Sequence, residues 1–264
     1  MAGAYPGDAI REVMRVSVKD LVEQAVQELF DERDATAVDR YWSPGYMEHS
    51  ILGADGLQGL RDLAASLPES FRHTRTRVLG EHDLVVAHGR YDGLGATPIV
   101  AFDVWRVDHG KIVEHWDAHQ AWAEQTVSGH TMLDGPTKIT SPASTAASRQ
   151  VVESFAELIM MGRDRTKIGR FFSGDRFVQH NPQIADGLSG LGQAIQTGVW
   201  EAVVDRVHRV VAEGEFVFTQ GEGQLHAEPT AFYDLFRVED DRLVEHWDVV
   251  FTKPAELAHD NGLF

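Results

Sequence analysis

The sequence predicts an α+β protein made of two tandem copies of one module, and three observations predict it. The tetrapeptide Glu114-His115-Trp116-Asp117 returns letter for letter as Glu245-His246-Trp247-Asp248, 131 positions later (245 − 114). Each copy follows a short apolar run and a tight turn, Phe102 to Val107 in one half and Tyr233 to Val238 in the other. Each half also passes through helix-period segments before strand-period ones, the order of an α+β module. A repeat of this length divides the 264 residues into two units, each large enough to bury its own core.

Val18, Leu21, Val22, Ala25, Val26 and Leu29 carry the spacing of one apolar helix face. The counterpart is Val151, Val152, Phe155 and Ile159, at an offset of 130 that also matches Tyr41 to Phe171 (171 − 41). From Tyr46 and Phe177 onward the offset is 131, so one residue is gained near Gly174-Asp175, in a turn where insertion is tolerated. Tyr46-Met47-Glu48-His49-Ser50 and Phe177-Val178-Gln179-His180-Asn181-Pro182 follow, each succeeded by Gly-Leu-x-Gly-Leu at Gly56 and Gly187. These glycines are expected to open helices running to about Phe71 and Trp200. Arg75–Leu79 with Arg206–Val211, and Leu84–His88 with Phe216–Thr219, read as strands between turn formers. The Asp103 and Asp234 strands and the His-Trp-Asp strands close each half. Residues 129–148, rich in Gly, Pro, Ser, Thr and Ala, read as the linker, which gives domains of 1–140 and 141–264.

With 43% hydrophobic and 25% charged residues the composition is globular. The formal charge of −17, from 24 Lys and Arg against 41 Asp and Glu, argues against nucleic acid or anionic membrane as partners, because those are bound by phosphate neutralisation. Without cysteine there is no disulfide, thiolate nucleophile or Cys-ligated zinc. Met1 to Arg15 lacks a basic flank followed by an apolar run, and no stretch is long and apolar enough to span a bilayer; a cytoplasmic protein is the expectation.

On a strand, His115 with Asp117, and His246 with Asp248, share one face while the tryptophans take the other. An imidazole and a carboxylate facing an apolar cavity suit acid–base chemistry, since desolvation raises the carboxyl toward neutrality. His180 with Asn181, flanked by Gln179, is placed to hold a substrate oxygen, and His49 occupies the matching position. His246 and His115 are equally readable as core histidines bonded to a backbone carbonyl, and His180 with Asn181 as a cap or turn before Pro182. Strand alternation groups Asp103 with Trp105 and Asp234 with Phe236 on one face, without revealing whether that face is the cavity. His115, Asp117 and His119 can be imagined with His49 around a metal, but Val250 replaces His119 in the second half; neither metal nor cofactor is expected. No phosphate-binding loop or serine elbow is present.

The aromatic-x-Gln/Glu-His segment, the Gly-Leu-x-Gly-Leu helix start and the closing Val-Glu-His-Trp-Asp hairpin resemble the SnoaL-like branch of the nuclear transport factor 2-like superfamily, over about 17–125 and 148–251. The second half resembles it better, because its Gln-His-Asn-Pro is intact. The resemblance implies a strongly curved, mainly antiparallel sheet wrapped around helices, enclosing a cone-shaped apolar pocket. It further implies two such domains paired as an intramolecular pseudo-dimer, open to further self-association. It gives Asp248 and Asp117 the general acid/base role, with His246 and His115 beside them. The implied activity is cofactor-free cyclisation, isomerisation or dehydration of a small apolar carbonyl or polyketide-like compound. The paired Asp103/Asp117 and Asp234/Asp248 also resemble the water-activating acids of the limonene-epoxide-hydrolase-like branch, and a third expectation is a non-catalytic binder of a small hydrophobic ligand.

Overall fold

The computed structural model describes residues 17–264, so the expectations for Met1 to Arg15 lie outside it. Ser17 caps the first helix, α1 (Val18–Val26), its hydroxyl accepting from the Asp20 N–H at 3.1 Å, and a π-helical turn over Gln27–Asp31 extends it. After α2 (Ala37–Tyr41) come β1 (Trp42–Glu48), α3 (Gly56–Ser66), β2 (Arg72–Glu81), β3 (Leu84–Asp92), β4 (Ile99–Asp108) and β5 (Lys111–Ala121). The second half repeats the plan with α4 (Thr145–Phe155), β6 (Val178–Gln179), α5 (Gly187–Gln196), β7 (Ala202–Glu213), β8 (Phe216–Leu225), β9 (Glu228–Glu239) and β10 (Arg242–Thr252). Each half forms one five-stranded sheet, ordered β1-β5-β4-β3-β2 and β6-β10-β9-β8-β7. The first-listed strand of each pairs parallel with the last of its module, and all other pairings are antiparallel. Among the described residues no helix is long and apolar enough to cross a membrane.

The glycine motif has a backbone reason. Gly56 and Gly187 take φ of +73° and +87°, and a side chain at Gly59 or Gly190 would collide with the carbonyl oxygen of Ala54 or Ala185. The helices they open end earlier than the sequence suggests. Leu67 leaves helical geometry ahead of Pro68, and Gly198, at φ +76°, stops α5. The strands run longer than their apolar cores, since polar residues continue the ladder toward the sheet edges. The 131-residue offset also fails locally: the β2–β3 and β7–β8 hairpins align at 132 (213 − 81). A second bulge, between Val207 and Arg209, absorbs the extra residue in β7.

Both faces of each sheet are covered, which is why β3 and β4 read as nearly continuous apolar runs. On the inner face, Val22, Ala25, Val26 and Leu29 of α1 pack against Val85, Ala87 and Trp105. Val152 and Phe155 of α4 do the same against Val217 and Phe236. On the outer face, Phe102, Val104 and Trp116 meet Phe218, Leu235 and Trp247 in one shared core. Contacts across it come in exchanged pairs. Glu213 accepts from the Gly80 N–H and Glu81 from the Ala212 N–H, each at 2.7 Å. The Arg77 guanidinium lies 4.2 Å over the Trp247 ring and that of Arg209 3.5 Å over Trp116.

The segments that follow β5 and β10 cross over as well. His180 Nδ1 meets the Thr131 carbonyl at 2.7 Å, and His49 Nδ1 the Gly262 carbonyl at 2.9 Å. The Gly/Pro-rich linker is therefore no loose tether: the Asp134 carbonyl accepts from the Trp247 indole at 3.0 Å, and those of Leu133, Asp134 and Pro136 accept from Arg77.

Candidate active site

Asp103 and Asp117 are direct cross-strand partners, as are Asp234 and Asp248. With Trp105 opposite His115 and Phe236 opposite His246, the alternation places both acids and the histidine of each module on the inner face, toward the helices. Trp116 and Trp247 lie on the outer face, in the core between the sheets. Each module has a pocket there. In the first, Glu48, His73, Asp103, His115 and Asp117 stand among Trp42, Leu60, Phe71 and other apolar groups, in about 560 Å³ of atom-free space. The second is roomier, about 1020 Å³, with Gln179, Asp234 and His246 among Phe155, Ile184, Trp200 and Phe232. Asp248 is 2% exposed and sits behind Asp234 rather than on the pocket wall.

In the second module, His246 Nε2 meets Asp234 Oδ1 and its Nδ1 meets Gln179 Oε1, both at 3.0 Å. Asn181 Nδ2 donates to Asp248 Oδ2 at 2.8 Å. The remaining oxygens, Asp234 Oδ2 and Asp248 Oδ1, are buried and unpartnered among the described residues. Burial, reinforced by the neighbouring Asp234 charge, pushes Asp248 from 3.8 up to about 6, against the opposing pull of His246. Burial alone would depress His246, but Asp234 and Asp248 outweigh it and raise the imidazole above its usual range.

The first module holds the same trio in a denser polar cluster. His115 bridges Glu48 at 2.8 Å and Asp103 at 3.2 Å, Tyr91 donates to Asp103, and His119 Nε2 lies 3.1 Å from Asp117. Burial would raise Asp103, yet His115 and His73 hold it below the usual carboxylate range. Burial would likewise depress His115, yet Glu48 and Asp103 raise it well above the ordinary imidazole value. The strand registers put Val204, Gly223, Gln179 and Val250 where the first module has His73, Tyr91, Glu48 and His119. Two sites thus share a trio and differ in what surrounds it.

His49 and His180, expected beside the acids, are not. Their rings turn to the outer face, stacked on Trp116 and Trp247 at 5.0 and 4.6 Å and bonded to Glu114 and Glu245 at 3.0 Å. The peptide leaving β1 and β6 alternates like any strand, so if Glu48 and Gln179 face inward the next residue faces out. This also removes His49 from any metal cluster with His115, Asp117 and His119. Each trio does present three ligand atoms within 4.8 Å of one another, the spacing of a three-ligand cation site. In both, however, the imidazole Nε2 is directed at a carboxylate, an acid–base arrangement. Glu48, His73 and Tyr91 were not foreseen. Glu48 was detectable as the counterpart of Gln179; His73 and Tyr91, unrepeated, left no signal.

The SnoaL-like domain family matches residues 22–115. Among solved structures, TsrD from Streptomyces laurentii is 23% identical over 41% of this chain and 92% of its own, with a TM-score of 0.35. A candidate SnoaL-like polyketide cyclase from Jannaschia sp. CCS1 is 20% identical over 40% and 90%, with a TM-score of 0.32. An NTF2-like protein of unknown function from Cytophaga hutchinsonii ATCC 33406 is 15% identical over 41% and 94%, with a TM-score of 0.36. No curated protein matches.

Proposed function

Since the chain carries a SnoaL-like domain at residues 22–115 and repeats its strand order in the second half, we propose that it is a cofactor-free acid–base enzyme acting on a small, largely apolar carbonyl compound in the second pocket. Cyclisation of the aldol type, isomerisation and dehydration all begin with removal of a proton beside a carbonyl. The observation that carries this reading is the trio at the base of the pocket: Asp234 and His246 line it, and Asp248, a carboxyl held at about 6, lies within 4.8 Å of both. A base so tuned is mostly ionised at neutrality and is stronger than an ordinary carboxylate in accepting a carbon-bound proton.

The oxygen that becomes negative is held by the Gln179 amide NH₂; His246, with one ring nitrogen on the Gln179 carbonyl and the other on Asp234, orients that amide. Asn181 is a positioning residue, fixing one Asp248 oxygen so that the other serves as the proton acceptor. The role expected of His180 passes to Gln179, which is on the pocket wall.

Exchange of α-hydrogens for deuterium in a panel of small apolar ketones, followed by NMR in D₂O, tests this. The rate is expected to rise with pH through about 6 and then level, because the deprotonated form is the base. A second reading rests on the direct opposition of Asp234 and Asp248, which also suits water activation. Epoxide opening with incorporation of labelled solvent oxygen, and no α-exchange, would replace the first reading by the second.

The domains proposed are 1–140 and 141–264, joined as an intramolecular pseudo-dimer. The exchanged Glu213–Gly80 and Glu81–Ala212 bonds support it, being the isologous pattern of a two-fold interface. X-ray scattering is expected to give a radius of gyration of about 18 Å, that of one compact body; two independently tumbling domains would refute it.

A further inference from the structure

The two pocket mouths differ in charge. Residues 163–170, which contribute Arg163, Arg165 and Ile168 to the second pocket, hold Arg163, Arg165, Lys167 and Arg170 against the single acid Asp164. The equivalent stretch 33–40 holds Arg33 and Arg40 against Asp34 and Asp39. Arg33 is engaged by the carbonyls of Leu67 and Pro68, and Arg40 by Glu28 and Asp34. The wall of the first pocket contains neither Arg nor Lys, whereas Arg163 and Arg165 are both in the wall of the second.

Of these four cations, Arg163 pairs with Asp205 at 3.2 Å, Lys167 with Asp164 at 2.9 Å, and Arg170 lies 5.3 Å over Phe171. The Arg165 side chain has no ion pair or hydrogen bond among the described residues; only its backbone N–H is engaged, by the Arg163 carbonyl. It also borders an adjoining apolar groove with Ile168, Leu188 and Ile195, so the guanidinium stands where the deep pocket meets the surface. In a protein of net charge −17 a cationic rim is a local reversal of the field. The pocket is thereby polarised, cations at the mouth and the carboxylates Asp234 and Asp248 at the base. An anionic group is repelled from the base and retained at the rim, and a guanidinium can take a carboxylate or phosphate in a two-pronged hydrogen bond.

We propose that the second pocket receives an amphipathic anion: an apolar chain that enters reactive end first and leaves a carboxylate or phosphate group on Arg165, with Arg163 beside it. This names the substrate class for the site proposed above and rests on that pocket being the substrate site. Position 165 is thus a specificity determinant, and Ala35, its counterpart, explains why the first pocket does not share the preference.

The test is calorimetric titration of the full chain with chain-matched probes: decanoate, decyl phosphate, decanol and decylammonium, each below its micellar concentration. Decanoate or decyl phosphate is expected to bind about tenfold or more tightly than decanol, with decylammonium weakest. Whichever anion binds tighter, and whether inorganic phosphate competes, identifies the group received. Arg165→Ala should lower anion affinity to that of decanol while decanol binding is unchanged, and Arg165→Glu should reverse the order of anion and cation. Equal binding of decanol and both anions, survival of the anion preference in Arg163→Ala/Arg165→Ala, or no binding of any probe would each overturn the proposal. Anion preference without α-hydrogen exchange would sink the enzymatic reading and leave this one standing; exchange without anion preference would do the reverse.

Discussion

Asp248→Asn is expected to lower kcat for α-hydrogen exchange by about 10²–10⁴, the usual worth of a positioned general base, and at the same time to raise the melting temperature at pH 7. The two effects share one cause. In the unfolded chain this carboxyl ionises near 3.8, in the folded chain near 6. Between those values the unfolded chain has released its proton while the folded one keeps it, so each increment of pH favours unfolding. The stability this group contributes is complete below 3.8 and lost above about 6, a difference on the order of 3 kcal/mol. Asparagine fills the same space, still accepts from Asn181, and never ionises. The variant should therefore melt higher at pH 7 and equal the parent near pH 4. A lower melting point at pH 7, or an Asp117→Asn protein that loses more activity than Asp248→Asn, would overturn the assignment of the base to the second module. Asp117→Asn should change kcat by less than about threefold.

Trp247→Ala should produce the largest loss of stability, about 3–5 kcal/mol, equivalent to a fall of roughly 6–20 °C in a chain of this length. The ring is fully buried between the sheets, beneath the Arg77 guanidinium and the His180 imidazole. Calorimetry should show one transition moving as a whole, because the same ring supports both modules; two transitions, with only one displaced, would mean that the modules melt independently. A milder pair of substitutions separates packing from hydrogen bonding. The Trp247 indole donates to the Asp134 carbonyl, whereas that of Trp116 is buried without a partner among the described residues. Trp247→Phe should accordingly cost about 1 kcal/mol more than Trp116→Phe.

Much of this architecture was legible because duplication writes each constraint twice. The α+β order, the inner-face alternation of His115 with Asp117 and of His246 with Asp248, and the outward tryptophans follow from periodicity and appear in the strand registers. Reading failed where geometry turned on a single peptide. In sequence His49 and His180 read as pocket residues, but Glu48 and Gln179 beside them face the pockets, and a strand cannot present two successive residues to one cavity. The bulge beside Arg209 left no pattern in residue type, since it changes only how β7 pairs with β8. His73 and Tyr91, and the cationic rim at Arg163 and Arg165, are what only one copy has. A search for repetition discards such differences, and here they are what distinguish one site from the other.

The crossed terminal segments also separate where a lesion lies in the chain from where it is felt. His49 is steadied by the carbonyl of Gly262, and Ser50 and Glu48 by His259 and Asn261. Residues more than two hundred positions downstream thus fix the segment carrying Glu48, which faces the first pocket. Trimming the last dozen residues would remove no part of the second pocket's wall yet loosen the distant first one, so a truncation map read by position alone would miss the damage to the first module.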